Sequence, residues 1–182
     1  MPVSPDMPEL GVKAAGFTLP ATDGKMYSLS DIMGENGAVI AFICNHCPYV
    51  RAITDRMVAD ARTLQKLGVG FGAICSNDAN KSPDDSFENM VVFAKERGFN
   101  FPYLHDESQE VARAYEAVCT PDFFGLNAEG LIEYRGRMDE GRTTPPPQGA
   151  KRDLVEAMAE IVRTGKGPED QIASAGCSIK WK

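Results

Sequence analysis

The stretch Ala38-Val-Ile-Ala-Phe-Ile-Cys-Asn-His-Cys-Pro-Tyr-Val50 decides how the chain is organised. Val39 to Cys44 contains no charged residue and predicts a strand that is buried on both faces. A second cysteine follows at position 47, and then Pro48, which suits the first turn of a helix because its missing N–H needs no partner there. The sequence therefore predicts a Cys-x-x-Cys pair at the point where a buried strand passes into a helix.

This cysteine pair is the strongest candidate for chemistry in the chain. Free backbone N–H groups and the positive end of a helix dipole favour an anion, so we expect a lowered pKa and a nucleophilic role for Cys44, with Cys47 as its resolving partner. A protonated His46 would favour the Cys44 thiolate further, but an exposed histidine without a role fits equally well. Two buried core thiols are the alternative, against which stands the expectation that a strand end exposes at least the first thiol.

Composition narrows the class of protein. With 182 residues, 43% of them hydrophobic and 25% charged, we expect one globular domain over 1–182. The chain has 19 basic and 26 acidic residues, a net charge of -7, and this balance argues against nucleic acid as a partner. The sequence contains neither a run long enough to span a membrane nor the pattern of a signal peptide, so we expect a cytoplasmic protein with no membrane partner.

The number of cysteines points in the same direction as the motif. Five cysteines are an odd number in a chain of ordinary size, which favours a redox or metal role over a disulfide scaffold. Cys75 lies in an apolar run and is most simply a small core residue.

Hydrophobic periodicity and turn residues predict the other elements. An Asp23-Gly24 turn indicates an N-terminal hairpin, and Ser82 with Pro83 predicts a helix start. Helices are predicted over 28–33, from 50 to a stop at Gly68, from 82 to a stop at Gly98, over 106–117, and from 154 to a stop at Gly165. Strands are predicted over 69–75, 101–105, 118–126 and 131–135, the last two forming a hairpin. The tail, 166–182, holds Cys177 and the only tryptophan.

This order of elements resembles the thioredoxin fold over roughly residues 10–165. It implies an α/β fold with a mixed central sheet flanked by helices, to which the N-terminal hairpin is an extension. The segments Gly16-Phe-Thr-Leu-Pro20 and Asp23-Gly-Lys25 resemble the peroxiredoxin branch, the alkyl hydroperoxide reductase and thiol-specific antioxidant proteins. Residues 45–50 and 176–181, Asn-His-Cys-Pro-Tyr-Val and Gly-Cys-Ser-Ile-Lys-Trp, are similar to those of an uncharacterised peroxiredoxin-like group.

The resemblance also assigns roles to residues outside the pair. Thr120-Pro121 is similar to the cis-proline loop of the fold, which faces the active thiols and offers backbone groups to a substrate. Asn45 and Pro48 support the site as members of the motif. Cys119 is expected either to share the pocket of Cys44 or to point into the core behind the loop.

The tail offers a further candidate thiol. Cys177 is a candidate resolving cysteine, on a tail that is either mobile or packed through Ile179 and Trp181.

At several positions this chain has a residue different from the one that peroxiredoxins or thioredoxins have. Peroxiredoxins place a proline and a hydroxyl residue where Gly37 and Ala41 stand, so we expect weak peroxide turnover. Thioredoxins place a buried acid and a tryptophan where Ala38 and Ile43 stand. The cation that peroxiredoxins use beside their thiolate would have to come from Arg135 or Arg137, for which a solvated strand end is the simpler expectation.

Three functions follow from the residues and the resemblance. The first is a thiol-disulfide oxidoreductase with an antioxidant role, and the second is a thiol peroxidase. The third is a carrier of zinc or copper, with Cys44, His46, Cys47 and Cys119 as ligands. The redox functions need no bound cofactor and imply thiol or disulfide substrates, proteins among them, and an electron donor such as a thioredoxin or glutathione system. The protein is expected to be a monomer or a homodimer.

Overall fold

The computed structural model describes residues 1–7 and 9–182. Its strands are β1 Val12–Lys13, β2 Thr18–Pro20, β3 Met26–Ser28, β4 Ala38–Phe42, β5 Gly70–Cys75, β6 Tyr103–His105, β7 Cys119–Thr120, β8 Asp122–Leu126, β9 Leu131–Gly136 and β10 Cys177–Ser178. Its helices are α1 Leu29–Ile32, α2 Pro48–Arg51, α3 Thr54–Lys66, α4 Phe87–Glu96, α5 Glu110–Ala114 and α6 Asp153–Thr164, and a 3-10 turn lies at Pro83–Asp85.

The central sheet is mixed, as the sequence predicts. Its strand order is β1-β9-β8-β4-β5-β6. Strand β4 lies inside the sheet, parallel to β5 on one side and antiparallel to β8 on the other. Strands β2 and β3 form the predicted N-terminal hairpin, and β7 pairs with β10 in a separate ribbon. The carboxyl end of β4, where the cysteine pair follows, therefore lies in the middle of the molecule.

Both faces of β4 are buried, which explains its unbroken apolar sequence. Val39, Ala41 and Ile43 contribute to one core cluster, which contains residues of α3, α4 and α6. Ile40 and Phe42 contribute to the other, which contains residues of α1 and α5. Because successive side chains of a strand point to opposite faces, a strand between two helical layers must be apolar at every position.

The helix predicted from residue 50 is divided in two. Helix α2 ends at Arg51, and α3 begins at Thr54 after Ile53, whose φ and ψ are -109° and -4°. Val50, Ile53 and Met57 are all buried, so the apolar period continues through the break and conceals it. The cysteine pair is therefore followed by a single helical turn and not by a long helix.

The predicted helix start at Ser82 begins a short 3-10 turn and not α4. Residues 83–85 form a 3-10 turn, and α4 begins at Phe87 with Ser86 as its N-cap, whose hydroxyl accepts from the Asn89 N–H at 3.2 Å. The Ser82 hydroxyl donates instead to the Asp85 carboxylate at 2.8 Å. The two serines stand four residues apart and carry similar capping signals, so local sequence does not separate them.

The tail, 166–182, is packed against the body of the protein. The Ile179 N–H donates to the Val118 carbonyl at 2.9 Å, and the Ile179 side chain is 3% exposed. The guanidinium of Arg113 lies 4.4 Å from the centre of the Trp181 ring. Of the tail arrangements expected from the sequence, the ordered one is present. Within the described residues, helices that combine the length and apolarity required to cross a bilayer do not occur.

Candidate active site

Strand β4 and helix α2 place the two cysteines of the motif. Cys44 lies two residues beyond the end of β4, and Cys47 is the N-cap of α2, with Pro48 in the first helical position. Cys44 is 1% exposed and Cys47 is 0% exposed. The expectation that the strand end would expose the first thiol is therefore wrong.

The residue before a cis proline contacts both thiols. The Thr120–Pro121 peptide bond is cis, as the resemblance implied. The Cys44 sulfur lies 3.4 Å from the Thr120 hydroxyl oxygen, and the Cys47 sulfur lies 3.4 Å from the Thr120 carbonyl oxygen. The loop thus supplies a side-chain group to one thiol and a backbone group to the other.

A third thiol joins the pair, and it comes from the tail. The sulfur atoms of Cys47 and Cys177 are 2.8 Å apart, and Cys177 is partly exposed to solvent. Cys119 is buried, and its thiol contacts the Pro121 carbonyl oxygen at 4.0 Å. Of the two candidates for a third thiol in the pocket, the structure brings Cys177 to the pair and directs Cys119 elsewhere. We define the thiol cluster as Cys44, Cys47 and Cys177.

Hydrogen bonds within the thiol cluster separate the pKa values of its members. The pKa of Cys44 is raised because its thiol donates to the Cys47 sulfur, because it is buried, and because the Asp85 carboxylate is near. The pKa of Cys47 is lowered chiefly by that same hydrogen bond; burial opposes the shift, and the hydrogen bond between Cys47 and Cys177 adds to it. These directions favour a thiolate on Cys47 over one on Cys44, the residue for which the sequence predicts that role.

A buried carboxylate organises the loop between the two cysteines. Asp85 is 0% exposed; it accepts from the Asn45 backbone N–H at 2.8 Å and lies 2.6 Å from Nδ1 of His46. It also accepts from the Asn77 amide and the Ser82 hydroxyl, each at 2.8 Å. His46 is thereby held by Asp85, and one of its ring nitrogens lies within 4.8 Å of the Cys44 sulfur.

Asn45 connects the motif to the rest of the sheet. Its side-chain oxygen accepts from the Tyr103 hydroxyl at 2.8 Å, its amide donates to the Asp84 carbonyl at 3.0 Å, and its own carbonyl accepts from Arg51 at 2.9 Å. Sequence reasoning missed Asp85 and Tyr103. The signal for Asp85 was its place after Ser82-Pro83, which was interpreted only as a helix start.

The four ligands expected for zinc or copper are not gathered at one point. Among the residues that the structure describes, the group able to place three ligand atoms within 4.8 Å of one another is Cys44, His46 and Asp85. Cys47 and Cys119 are outside this group, and the Asp85 oxygens already accept hydrogen bonds from the surrounding loop. The arrangement suits a hydrogen-bonded loop better than a Cys-rich metal site.

Arg135 is not the solvated residue that the sequence suggested. Its side chain is 1% exposed, donates to the Asp122 carboxylate at 2.9 Å, and lies 4.7 Å from the centre of the Phe124 ring. Arg137 is 30% exposed and pairs with Asp153 at 2.8 Å. Both cations are bound to carboxylates and do not pair with the thiol cluster.

Comparison with known proteins places this geometry in context. A model described as the AhpC/TSA family matches residues 10–135. The chain is 31% identical over 130 residues to the "Putative peroxiredoxin Rv2521" of Mycobacterium tuberculosis, covering 71% of this chain and 78% of that protein. It is 27% identical over 122 residues to the thiol-disulfide oxidoreductase ResA of Bacillus subtilis, covering 67% of this chain and 64% of ResA.

Solved structures extend the likeness to the whole chain. An uncharacterised conserved protein from Geobacillus kaustophilus is 42% identical, with a TM-score of 0.91 and coverage of 100% of this chain and 97% of that one. The thioredoxin domain of a thiol-disulfide oxidoreductase from Bacteroides vulgatus is 18% identical, with a TM-score of 0.66 and coverage of 86% and 99%. The thioredoxin-like fold that the order of elements implied is confirmed.

Proposed function

The chain belongs to the AhpC/TSA family and is a thiol-dependent oxidoreductase, and from this premise we propose that Cys44 and Cys47 are its redox pair, exchanging disulfides with a substrate. The observation that carries the proposal is that both thiols contact Thr120, the residue before the cis proline. Oxidation of the pair delivers two electrons and two protons to a substrate disulfide and leaves a Cys44–Cys47 disulfide.

The pKa values assign the parts within this pair. A thiolate is the nucleophile in disulfide exchange, and Cys47 has the lowered pKa. We propose that Cys47 acts as the thiolate and that Cys44 closes the internal disulfide, which reverses the roles expected from the sequence. Asn45, His46 and Pro48 hold the loop in place through the Asp85 network and the start of α2.

Mass spectrometry of the disulfide map tests this proposal. Reduced protein treated with an excess of oxidised glutathione is expected to form a Cys44–Cys47 disulfide, and Cys44→Ser and Cys47→Ser variants are expected to lose it. Cys75→Ala is the matched control, because Cys75 is a fully buried core thiol outside the cluster. Wild-type protein in which Cys44 and Cys47 never pair would refute the proposal.

A thiol peroxidase is the second candidate, and one contact favours it. Although Ala41 lacks a hydroxyl, the Thr120 hydroxyl lies 3.4 Å from the Cys44 sulfur and supplies from another strand a group able to bind a peroxide oxygen. In this reaction a thiolate attacks one peroxide oxygen to form a sulfenic acid, and the other oxygen leaves, after protonation, as water or an alcohol. A second thiol then condenses with the sulfenic acid to form a disulfide and release water.

Peroxide consumption in the presence of a thiol reductant distinguishes the candidates. Thr120→Val keeps the side-chain shape and removes the hydroxyl, so a peroxidase is expected to lose rate, whereas Thr18→Val on an exposed strand is the control. A wild-type rate no faster than that of a variant in which both Cys44 and Cys47 are replaced by serine would exclude the peroxidase.

The setting and partners of the enzyme complete the proposal. We infer thiol or disulfide substrates, a thioredoxin-type or glutathione donor, an antioxidant role, and a monomeric or homodimeric protein. We infer a reducing compartment such as the cytoplasm, because five cysteines, an odd number in a chain of this size, argue against a disulfide scaffold.

A further inference from the structure

The redox pair is enclosed, and this raises the question of how it exchanges electrons with other molecules. Cys44 and Cys47 are 1% and 0% exposed, and a thiol-disulfide exchange requires direct contact between attacking and attacked sulfur atoms. In this cluster the residue with solvent access is Cys177, whose sulfur lies 2.8 Å from the sulfur of Cys47. A disulfide bond is about 2.05 Å long, so these two atoms need to approach by less than about 1 Å to form one.

We propose that Cys177 is the exchange cysteine of this protein: external thiols and disulfides react at its sulfur, and Cys47 carries the exchange to the buried pair. This inference rests on the proposed redox role of Cys44 and Cys47. It adds a third catalytic residue and a fixed order of transfer, Cys177 to Cys47 to Cys44, which we call the relay.

Re-reduction then takes three balanced steps. The Cys177 thiolate attacks the Cys47 sulfur of the Cys44–Cys47 disulfide, forming a Cys47–Cys177 disulfide and releasing the Cys44 thiolate, which takes up a proton. A thiolate of an external thiol reductant attacks the Cys177 sulfur, forming a mixed disulfide and releasing the Cys47 thiolate. A second reductant thiolate attacks the reductant sulfur of that mixed disulfide, which releases the Cys177 thiolate and the oxidised reductant. The same steps in reverse oxidise the pair with a substrate disulfide.

The electrostatics of the cluster support the attack of the external thiolate at Cys177, which releases Cys47. A thiol of low pKa is the better leaving group, and Cys47 is the sulfur released when the external thiolate attacks. In the reduced protein the pKa of Cys177 is raised to about 12, first by burial and then by its hydrogen bond to Cys47 and the Cys47 charge. The last two causes vanish once Cys47 is in a disulfide, while the nearby Lys180 continues to favour the thiolate. Cys177 therefore ionises more readily in the state in which it must attack.

The tail holds Cys177 in position through its neighbours on both sides. Gly176 exchanges two backbone hydrogen bonds with Val3, of 2.7 and 3.0 Å, and the Lys180 N–H donates to the Asn77 side chain at 2.9 Å. Strand β10 pairs with β7 in a register that sets Cys177 opposite Thr120. The exchange thiol is thus part of the folded site and not a residue on a loose end.

Two variants trap or slow the relay. Oxidised wild-type protein and an oxidised Cys177→Ser variant are mixed with glutathione, a small monothiol, quenched with acid and analysed by mass spectrometry. Reduction of the Cys44–Cys47 disulfide is expected to be at least about tenfold slower in Cys177→Ser, with Ser178→Ala, an exposed neighbour on the same strand, reduced at the wild-type rate. A Cys44→Ser variant, oxidised gently, is expected to accumulate a Cys47–Cys177 disulfide.

The outcomes separate this inference from the proposed function. Equal or faster reduction of Cys177→Ser, or a Cys44→Ser variant in which Cys47 pairs with no tail cysteine, overturns the relay while the redox pair stands. A wild-type protein that forms no Cys44–Cys47 disulfide overturns the proposed function and the relay with it.

Discussion

A methyl group added at Gly176 is expected to release the tail from the thiol cluster. A Cβ atom built at this position lies 1.9 Å from the Thr120 carbonyl oxygen and 2.7 Å from the Thr120 carbonyl carbon. Both are backbone atoms of the cis-proline loop, so no side-chain rotation relieves the contact. The φ of Gly176 is outside the left-handed region, and the effect of Gly176→Ala is therefore one of close approach alone. Either the tail or the loop must move.

The size of this effect follows from the contacts that hold the tail against the body of the protein. The two hydrogen bonds between Gly176 and Val3 contribute about 0.5 to 1.5 kcal/mol each. The burial of Ile179 contributes about 1.5 to 3 kcal/mol when complete. Loss of part of this total, about 2 to 4 kcal/mol, raises the undocked population by about 30-fold to about 900-fold, since each 1.4 kcal/mol is a factor of about ten.

Alkylation of the reduced protein measures that population. When opening is fast, the modification rate of a buried thiol tracks the open fraction, so Cys47 in Gly176→Ala is expected to react with iodoacetamide at least about tenfold faster than in wild type. Gly16→Ala is the matched control, because a Cβ atom there meets no heavy atom within 4 Å. If Gly176→Ala and Gly16→Ala are alkylated at the same rate, the tail does not shield the pair and the reasoning is refuted.

Two further predictions concern the charges of the protein. The thiolate absorbance of the reduced protein is expected to titrate below about 8.5, the pKa of a free cysteine, and Cys47 is expected to be the group that titrates. A thiolate at low pH that persists in Cys47→Ser and vanishes in Cys44→Ser would contradict this. The pKa of Cys47 is lower in the folded than in the unfolded protein, so its ionisation stabilises the fold at pH values above the unfolded-state pKa. Urea denaturation is expected to show this stabilisation disappearing as the pH falls through the folded-state pKa. Arg135→Ala leaves Asp122 buried without a partner and is expected to cost about 3 to 5 kcal/mol in urea denaturation, against about 1 kcal/mol or less for Arg137→Ala; equal costs would count against the buried pair.

The parts of the fold that the sequence predicts are those set by neighbours along the chain. Strand β4 was predicted from an apolar run, which is typical of a strand buried between two layers of helices. Helix α6 ends where predicted because Gly165 adopts a φ of 80°. The division between α2 and α3 was hidden, since the buried side chains keep their helical spacing through Ile53. Local patterns establish which residues are buried, but not where the backbone departs from the helix.

The sequence predicted which residues lie at the candidate site better than it predicted their pKa values. The cysteine pair and the cis proline follow from the motif and the resemblance, but the pKa order within the pair depends on contacts that lie far apart in the sequence. Cys177 is 130 residues from Cys47, and Asp85 is 40 residues from the Asn45 N–H that it accepts. The helix dipole argument considered α2 alone, whereas hydrogen bonds within the thiol cluster and the nearby Asp85 carboxylate also shift the two pKa values.

The choice of Cys177 over Cys119 as the third thiol is a matter of strand register. Successive side chains in a strand alternate between faces, so Thr120, which contacts the pair, directs its neighbour Cys119 to the opposite side. Residues directly opposite each other in an antiparallel pair share a face, and Cys177 is opposite Thr120 while Ser178 is opposite Cys119. A slip of one residue would exchange the faces and turn the Cys177 sulfur away from Cys47. The absence of a side chain at Gly176 allows this close pairing, because its backbone lies against the Thr120 carbonyl. The residue that fixes the third thiol is therefore the glycine beside it, which has no chemistry of its own.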